Sequence, residues 1–134
     1  MLLKLHISKY ALIDNTDIDF YPGFSVITGE TGAGKSILLG AINLLLGERA
    51  DVRAIKAGAQ KCVVEAVFKS DSIETATFFR ENDLDFVDGE CIIRREISSS
   101  GKSRAFINDT PVTLSQMKEV GRNLIDIHSQ PQNL

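Results

Sequence analysis

Alternating apolar and polar residues near the N-terminus predict extended strands. Residues 2–7 and 11–20 each alternate in this way, and a turn is expected between them at residues 8–9. A second turn at residues 21–23 leads into an apolar run at residues 24–28, which predicts a buried strand.

The segment at residues 37–46 predicts a helix that is apolar nearly all round. We therefore expect this helix to be buried between two layers. Gly47 is suited to end it, because glycine readily adopts the left-handed backbone found after many helices. The polar residues 48–60 that follow predict a loop.

The second half of the chain predicts further strands and two short helices. Ser72 is suited to cap one helix, and Thr113 with Gln116 forms a capping-box pattern for the other. Several strands of antiparallel type surround one strand–helix unit, which predicts a mixed α/β or α+β fold rather than the regular alternation of a doubly wound kinase. The expected strands are residues 61–68, 89–97, 103–108 and 123–128, the helices residues 72–81 and 113–121, and the turns residues 98–101 and 108–111.

A complete phosphate-binding motif lies between the apolar strand and the apolar helix. Residues 29–36 read Gly-Glu-Thr-Gly-Ala-Gly-Lys-Ser and fit the pattern G-x-x-x-x-G-K-[ST] without a mismatch. The glycines let successive N–H groups point inward at an anion, and a helix beginning near Lys35 adds the positive end of its dipole. A chance glycine turn is the alternative, and the strand and helix on either side disfavour it.

Each part of the motif has an expected role toward a nucleoside triphosphate and Mg²⁺. We expect Lys35 to reach the β- and γ-phosphate oxygens, and the hydroxyl of Ser36 to be a ligand of Mg²⁺. The predicted nucleotide-binding residues are Gly29, Glu30, Thr31, Gly32, Ala33, Gly34, Lys35, Ser36 and Ile37.

Composition narrows the class of protein. The 134 residues suffice for one domain with a core, and the net charge of −3 gives no overall basic signal for nucleic acid. We expect no signal peptide and no membrane span, since no apolar run approaches about 18 residues. Cys62 and Cys91 are predicted to be buried free thiols rather than a disulfide or metal site, which fits a cytoplasmic protein.

The sequence contains no convincing hydrolytic motif. NTPases of this kind have an apolar strand that ends in Asp, and neither residues 84–88 nor residues 124–127 form one. The base-reading motif of GTPases is also missing. Residues 101–103 read Gly-Lys-Ser, but Glu96 occupies the place of the first glycine, so a hairpin turn is expected there. We therefore expect a fragment of a larger ATPase.

Four stretches in order resemble the heads of SMC-like ABC ATPases, and within them the RecN family of DNA repair proteins. The first is the N-terminal part with the phosphate loop and the helix that ends Leu-Leu-Gly-Glu-Arg-Ala. The second is the hairpin around Ile-Arg-Arg-Glu-Ile-Ser and Gly-Lys-Ser-Arg-Ala-Phe-Ile-Asn. The third resembles the entry to the next helix, and the last resembles the family's Q-loop strand; they are residues 111–116 and 124–130.

This resemblance implies the parts that the chain lacks. Residues 1–134 would be the N-terminal part of a split ABC-type head, followed by a coiled coil and a C-terminal half that carries the remaining motifs. Two heads would then enclose ATP as a head-to-head homodimer. Gln130 would contact Mg²⁺ and sense the γ-phosphate, and so act beside Lys35 as a catalytic residue; its alternative is an ordinary polar loop residue.

Other cations have two possible roles each. The resemblance places Arg53 or Lys56 near the phosphates or bound DNA, and a solvated loop cation is the equal alternative. His6 and His128 show no metal-binding pattern. A cluster on one hairpin could contact DNA phosphates, although a charged, exposed hairpin face is favoured; it consists of Arg94, Arg95, Lys102 and Arg104.

The main hypothesis is the ATP-binding head segment of a RecN-like ATPase that acts in DNA double-strand-break repair or recombination. Its cofactors would be ATP and Mg²⁺, its partners DNA and the rest of its own head, and its location the cytoplasm, associated with the nucleoid. Hydrolysis is expected only in the full-length protein. The first alternative is a P-loop kinase or other small-molecule phosphotransferase, and the second is a non-catalytic interaction module.

Overall fold

The computed structural model describes residues 1–20, 32–86 and 88–129, and covers only the backbone of residues 32–35 and 125–129. The predicted turn at residues 21–23 and strand at residues 24–28 lie outside this range. The described strands are β1 (Leu2–Tyr10), β2 (Ile13–Asp19), β3 (Lys61–Lys69), β4 (Glu90–Ser98), β5 (Ser103–Ile107) and β6 (Thr110–Val112), and the helices are α1 (Gly32–Leu45), α2 (Ile73–Glu81) and α3 (Leu114–Ser129), with a short 3₁₀ turn at Val52–Ala54.

The six described strands form one antiparallel sheet in the order β2-β1-β3-β4-β5-β6. Hairpins join β1 to β2, β4 to β5 and β5 to β6. Strand β3 pairs with β1 and with β4. In the sequence, α1 precedes β3 and α2 lies between β3 and β4. The mixed α/β architecture with an antiparallel region is therefore as predicted.

The alternation of side chains along the strands divides the sheet into two unlike faces. One face is buried, as in the cross-strand row Leu5, Ala66, Ile93 and Ile107. The helices pack on this side, α1 against β3 and β4 and α3 against β5, with α2 against α3. Cys62 and Cys91 also lie in this core as free thiols, in agreement with the prediction, and burial raises the pKa of Cys91 to about 12.

The predicted helix caps are present. The Ser72 side chain accepts a hydrogen bond from the backbone N–H of Thr75 (3.1 Å) at the start of α2. At the start of α3, Thr113 Oγ1 accepts from the N–H of Gln116 (3.1 Å), while Gln116 Oε1 accepts from the N–H of Thr113 (2.9 Å). These reciprocal bonds satisfy N–H groups that the first helical turn leaves unpaired.

One predicted strand is wrong. Residues 123–128 continue helix α3 to Ser129 instead of forming a strand. The buried residues Met117, Val120 and Leu124 recur at spacings of three and four, which keeps one helix face on the core. The short apolar run is therefore the last part of a helical stripe.

Two smaller expectations also differ. Strand β1 continues through the expected turn at residues 8–9, and the chain turns at Ala11, whose φ is 53°. The turn at Asn108 and Asp109, both with positive φ, leads into the short strand β6, which the sequence did not indicate. Asn108 tolerates this conformation and fixes the turn, since its Oδ1 accepts a bond from the N–H of Ile92 (2.7 Å).

Helix α1 is not buried all round. Ala41, Leu44 and Leu45 are buried, but Leu39 is 43% exposed on another face. The helix ends at Leu45, and the chain turns away at Gly47, where φ is 87°, so Gly47 lies just after the helix end as the sequence predicts. Its middle lies very close to β1, because a Cβ added at Gly40 would overlap the hydroxyl of Tyr10.

This close approach predicts that Gly40→Ala destabilises the wild-type protein but stabilises a Tyr10→Phe variant. Gly40→Ala should lower the free energy of unfolding by about 1–3 kcal/mol, because the added methyl overlaps the hydroxyl of Tyr10, a buried residue that would have to shift. In a Tyr10→Phe background the added methyl meets only an ordinary contact of 3.5 Å with the ring carbon Cζ. There, Gly40→Ala should stabilise the protein by up to about 1 kcal/mol through helix propensity. Chemical denaturation of the four proteins tests this, and a loss of stability in both backgrounds would contradict the contact.

Candidate functional site

The N-terminal end of α1 is the candidate site for an anion. The helix begins at Gly32, three residues earlier than expected, so its first turn includes the last part of the phosphate-binding motif. An α-helix leaves its first four N–H groups without an acceptor inside the helix, and these groups carry the positive end of the helix dipole. The backbone of residues 32–35 therefore offers donors suited to a phosphate.

The structure describes only part of the predicted site. Gly29, Glu30, Thr31 and Gln130 lie outside the described residues, as do the side chains of residues 32–35. The two remaining predicted residues are in the first turns of α1. Ser36 is exposed, and Ile37 is half-buried against the core.

The opposite end of α1 is held by a buried cation, Arg95. Its side chain lies in the core, with only 1% of the residue exposed. Nη1 of Arg95 donates to the carbonyl oxygens of Leu44 (2.8 Å) and Glu48 (2.9 Å), and Nε donates to Ser103 Oγ (2.9 Å). Burial lowers the pKa of the guanidinium, which still carries its charge at neutral pH. A positive charge is favourable here because the carbonyl end of a helix is negative.

The sequence groups Arg95 with three other cations of the hairpin, either as a contact to DNA phosphates or as part of an exposed face. Arg95 is instead buried, so neither role describes it. The alternation of β4 could have identified it. Cys91, Ile93 and Ile97 point to the core, and Arg95 occupies the same phase of the strand. A charged residue in the apolar phase of a strand indicates a buried partner, which here is the end of α1.

Arg94, the neighbouring residue, lies on the other face of the sheet. It forms ion pairs with Glu96 (3.1 Å), Asp109 (3.0 Å) and Glu65 (3.5 Å), and its guanidinium lies 4.3 Å from the centre of the Phe106 ring. Burial opposes its charge, but the hydrogen bond with Asp109 and the nearby glutamates outweigh that effect and raise the pKa of Arg94. Three carboxylates thus already neutralise Arg94.

The remaining candidate cations are on the surface. Lys102 and Arg104 are exposed beside the turn between β4 and β5. Arg53 is exposed and holds Asp51 through Nη2 and Oδ2 (2.9 Å), and this hydrogen bonding lowers the pKa of Asp51. Lys56 is half-buried in the same loop, and its N–H donates to the carbonyl of Lys9 (2.9 Å).

Arg53 belongs to the opposite end of α1 from the phosphate-binding motif. It lines a cleft with a volume of about 770 Å³. Arg95 and Leu114 also line this cleft, and both adjoin the end of the helix. A helix of 14 residues is about 21 Å long, so this cleft is distant from the first turn. Arg53 is therefore distant from the described first turn of α1.

Comparisons with known proteins agree with this architecture. A family model described as an AAA domain matches residues 4–133. The DNA repair protein RecN of Vibrio cholerae is 43% identical over 131 residues, which cover 97% of this chain and 24% of that protein. RecN of Bacillus subtilis is 40% identical over 134 residues, which cover 99% of this chain and 23% of that protein. The chain thus spans about a quarter of the length of these relatives.

The fold also resembles a solved structure from work on ATP-driven dimerization and DNA-stimulated activation of SMC ATPases. The TM-score is 0.70 at 22% identity, and the match covers 92% of this chain and 79% of the other. This likeness supports the fold alone. Among the described residues, no helix is long and apolar enough to cross a membrane.

The buried position of Arg95 predicts a large effect on stability. Arg95→Met should lower the free energy of unfolding by about 3 kcal/mol, because it removes the charge-assisted hydrogen bonds of a buried guanidinium to Leu44 O and to the partly buried Glu48 O. Arg104→Met is the control on an exposed residue of the same hairpin, and its effect should be about 0.5 kcal/mol or less. Urea denaturation of both variants measures the difference. Equal losses would show that the contacts of Arg95 do not carry this energy.

Proposed function

The chain belongs to the AAA domain family, and we propose that it is the N-terminal part of a split, ATP-binding head in a RecN-like protein of DNA double-strand-break repair. The phosphate-binding motif at the start of α1 carries this proposal, because a helix N-terminus within a G-x-x-x-x-G-K-[ST] sequence is a site for a nucleoside triphosphate. The named relatives are DNA repair proteins that extend well beyond the length of this chain, which supports the rest of the proposal.

In this proposal, the residues of the chain bind and orient the phosphates. N–H groups of residues 29–36 donate to phosphate oxygens, and Lys35 neutralises charge on the β- and γ-phosphates. The hydroxyl of Ser36 is available to Mg²⁺ because Ser36 is exposed. Magnesium held by Ser36 would supply positive charge beside the phosphates.

The rest of the head supplies what the chain lacks. Gln130 would approach the metal and the γ-phosphate, and the C-terminal half would carry the signature motif and the Asp-Glu strand. ATP would hold two such heads together as a homodimer, with DNA as the partner of the full-length protein in the cytoplasm and nucleoid. Hydrolysis belongs to that assembly, so we expect no turnover from residues 1–134 alone. The named relatives give a small-molecule kinase no support.

ATP binding is tested by a pair of lysine variants in the full-length protein. Lys35→Ala should abolish binding of Mg–ATP in calorimetry, because the loop then lacks its cation for the β- and γ-phosphates. Lys102→Ala is the matched control, since Lys102 also stands in a Gly-Lys-Ser sequence but lies in a hairpin turn, and its affinity should equal that of the wild type. Unchanged affinity in Lys35→Ala would refute the proposed site.

A further inference from the structure

One guanidinium group joins three parts of the fold at the end of α1 that is farther from the phosphate loop. Arg95 in β4 donates to Leu44 O in the last turn of α1, to Glu48 O in the loop beyond and to Ser103 Oγ in β5. The helix end is thereby tied to two adjacent strands of the sheet. Lys cannot reproduce this arrangement fully, because the three bonds use two different nitrogens of a planar group.

The position of one helix end affects the other. Helix α1 contains 14 residues and is about 21 Å long, and a helix of this length moves as a nearly rigid rod. A tilt or shift at the Arg95 end therefore displaces the N–H groups of the first turn. Binding groups must lie within about 0.5 Å of their productive positions, so a small displacement is enough to weaken a phosphate contact.

Other contacts of α1 are packing contacts. Gly40 touches Tyr10 near the middle of the helix, and Leu46 lies against Gly121 of α3 just after its end. Such contacts set how closely α1 approaches its neighbours. The bonds to Leu44 O and Glu48 O are directional and charge-assisted, and these fix orientation as well as distance.

We propose that Arg95 is a positioning residue for the nucleotide site, which presupposes the ATP-binding function proposed above. It touches no phosphate and acts through α1, by holding the end of the helix so that the first turn is correctly placed for the triphosphate. Loss of Arg95 then weakens nucleotide binding beyond what the loss of stability explains.

A core variant of similar stability separates positioning from simple stabilisation. Ile107 is fully buried at one end of β5, and Ser103 stands at the other end of that strand. Ile107→Ala therefore removes core contacts but none of the hydrogen bonds of Arg95. In the full-length protein, binding of Mg–ATP is measured by calorimetry at a temperature at which circular dichroism shows every variant to be folded. Melting temperatures are recorded for the same samples.

Arg95→Met should weaken the affinity for Mg–ATP by about 2- to 30-fold. Arg95→Lys keeps a cation near the two carbonyls and should restore part of this loss, whereas Ile107→Ala should bind as the wild type does despite its lower melting temperature. If Arg95→Met does not fold, Arg95→Lys against Ile107→Ala decides the question in the same way.

Equal affinities of the Arg95 variants and Ile107→Ala would overturn the positioning role and leave ATP binding intact. A failure of the underlying function has a different signature, because the wild type would then bind no Mg–ATP or would bind it no better than Lys35→Ala does.

Discussion

Under the proposed function, the two ends of α1 have opposite requirements. The first turn keeps its N–H groups open to an anion. The last turn lies against the core, where Leu44 is buried and the donors to its carbonyl come from the protein. Arg95 provides those donors from the sheet, at 2.8 Å from Leu44 O and 2.9 Å from Glu48 O. A buried charge is costly in an apolar row, and the negative end of the helix is what makes it acceptable here.

The two faces of the sheet give neighbouring arginines unlike environments. On the inner face, Arg95 bonds to neutral carbonyls and a hydroxyl, so its charge is used for fixing the helix. On the outer face, Arg94 is surrounded by three carboxylates and stacks on Phe106. The hairpin therefore presents less free positive charge than its sequence indicates. Exposed Lys102 and Arg104 are the members of that cluster to which an anionic partner has access.

Much of the fold could be predicted because several local signals agreed. Alternation placed β3 within one residue of its observed end, and Ser72 and Thr113 marked the two helix caps correctly. The end of α3 could not be predicted in this way, because a segment as short as Leu-Ile-Asp-Ile fits a strand or a helix equally well. Arg95 was misplaced for another reason. Its charge favours an exposed side chain, whereas its place in the alternation of β4 puts Arg95 in the core. The phosphate-binding residues came from an exact motif and stay a prediction, since most of their side chains lie outside the described range.

The central claim is that the N–H groups at the start of α1 hold a triphosphate. A crystal structure of the full-length protein with Mg²⁺ and a slowly hydrolysed ATP analogue tests it most directly. The account predicts phosphate oxygens within hydrogen-bond distance of backbone N–H groups of residues 32–36, with Lys35 at the β- and γ-phosphates and Ser36 at the metal. A nucleotide bound elsewhere in the protein, with the first turn of α1 beyond hydrogen-bond distance of every phosphate, would contradict it.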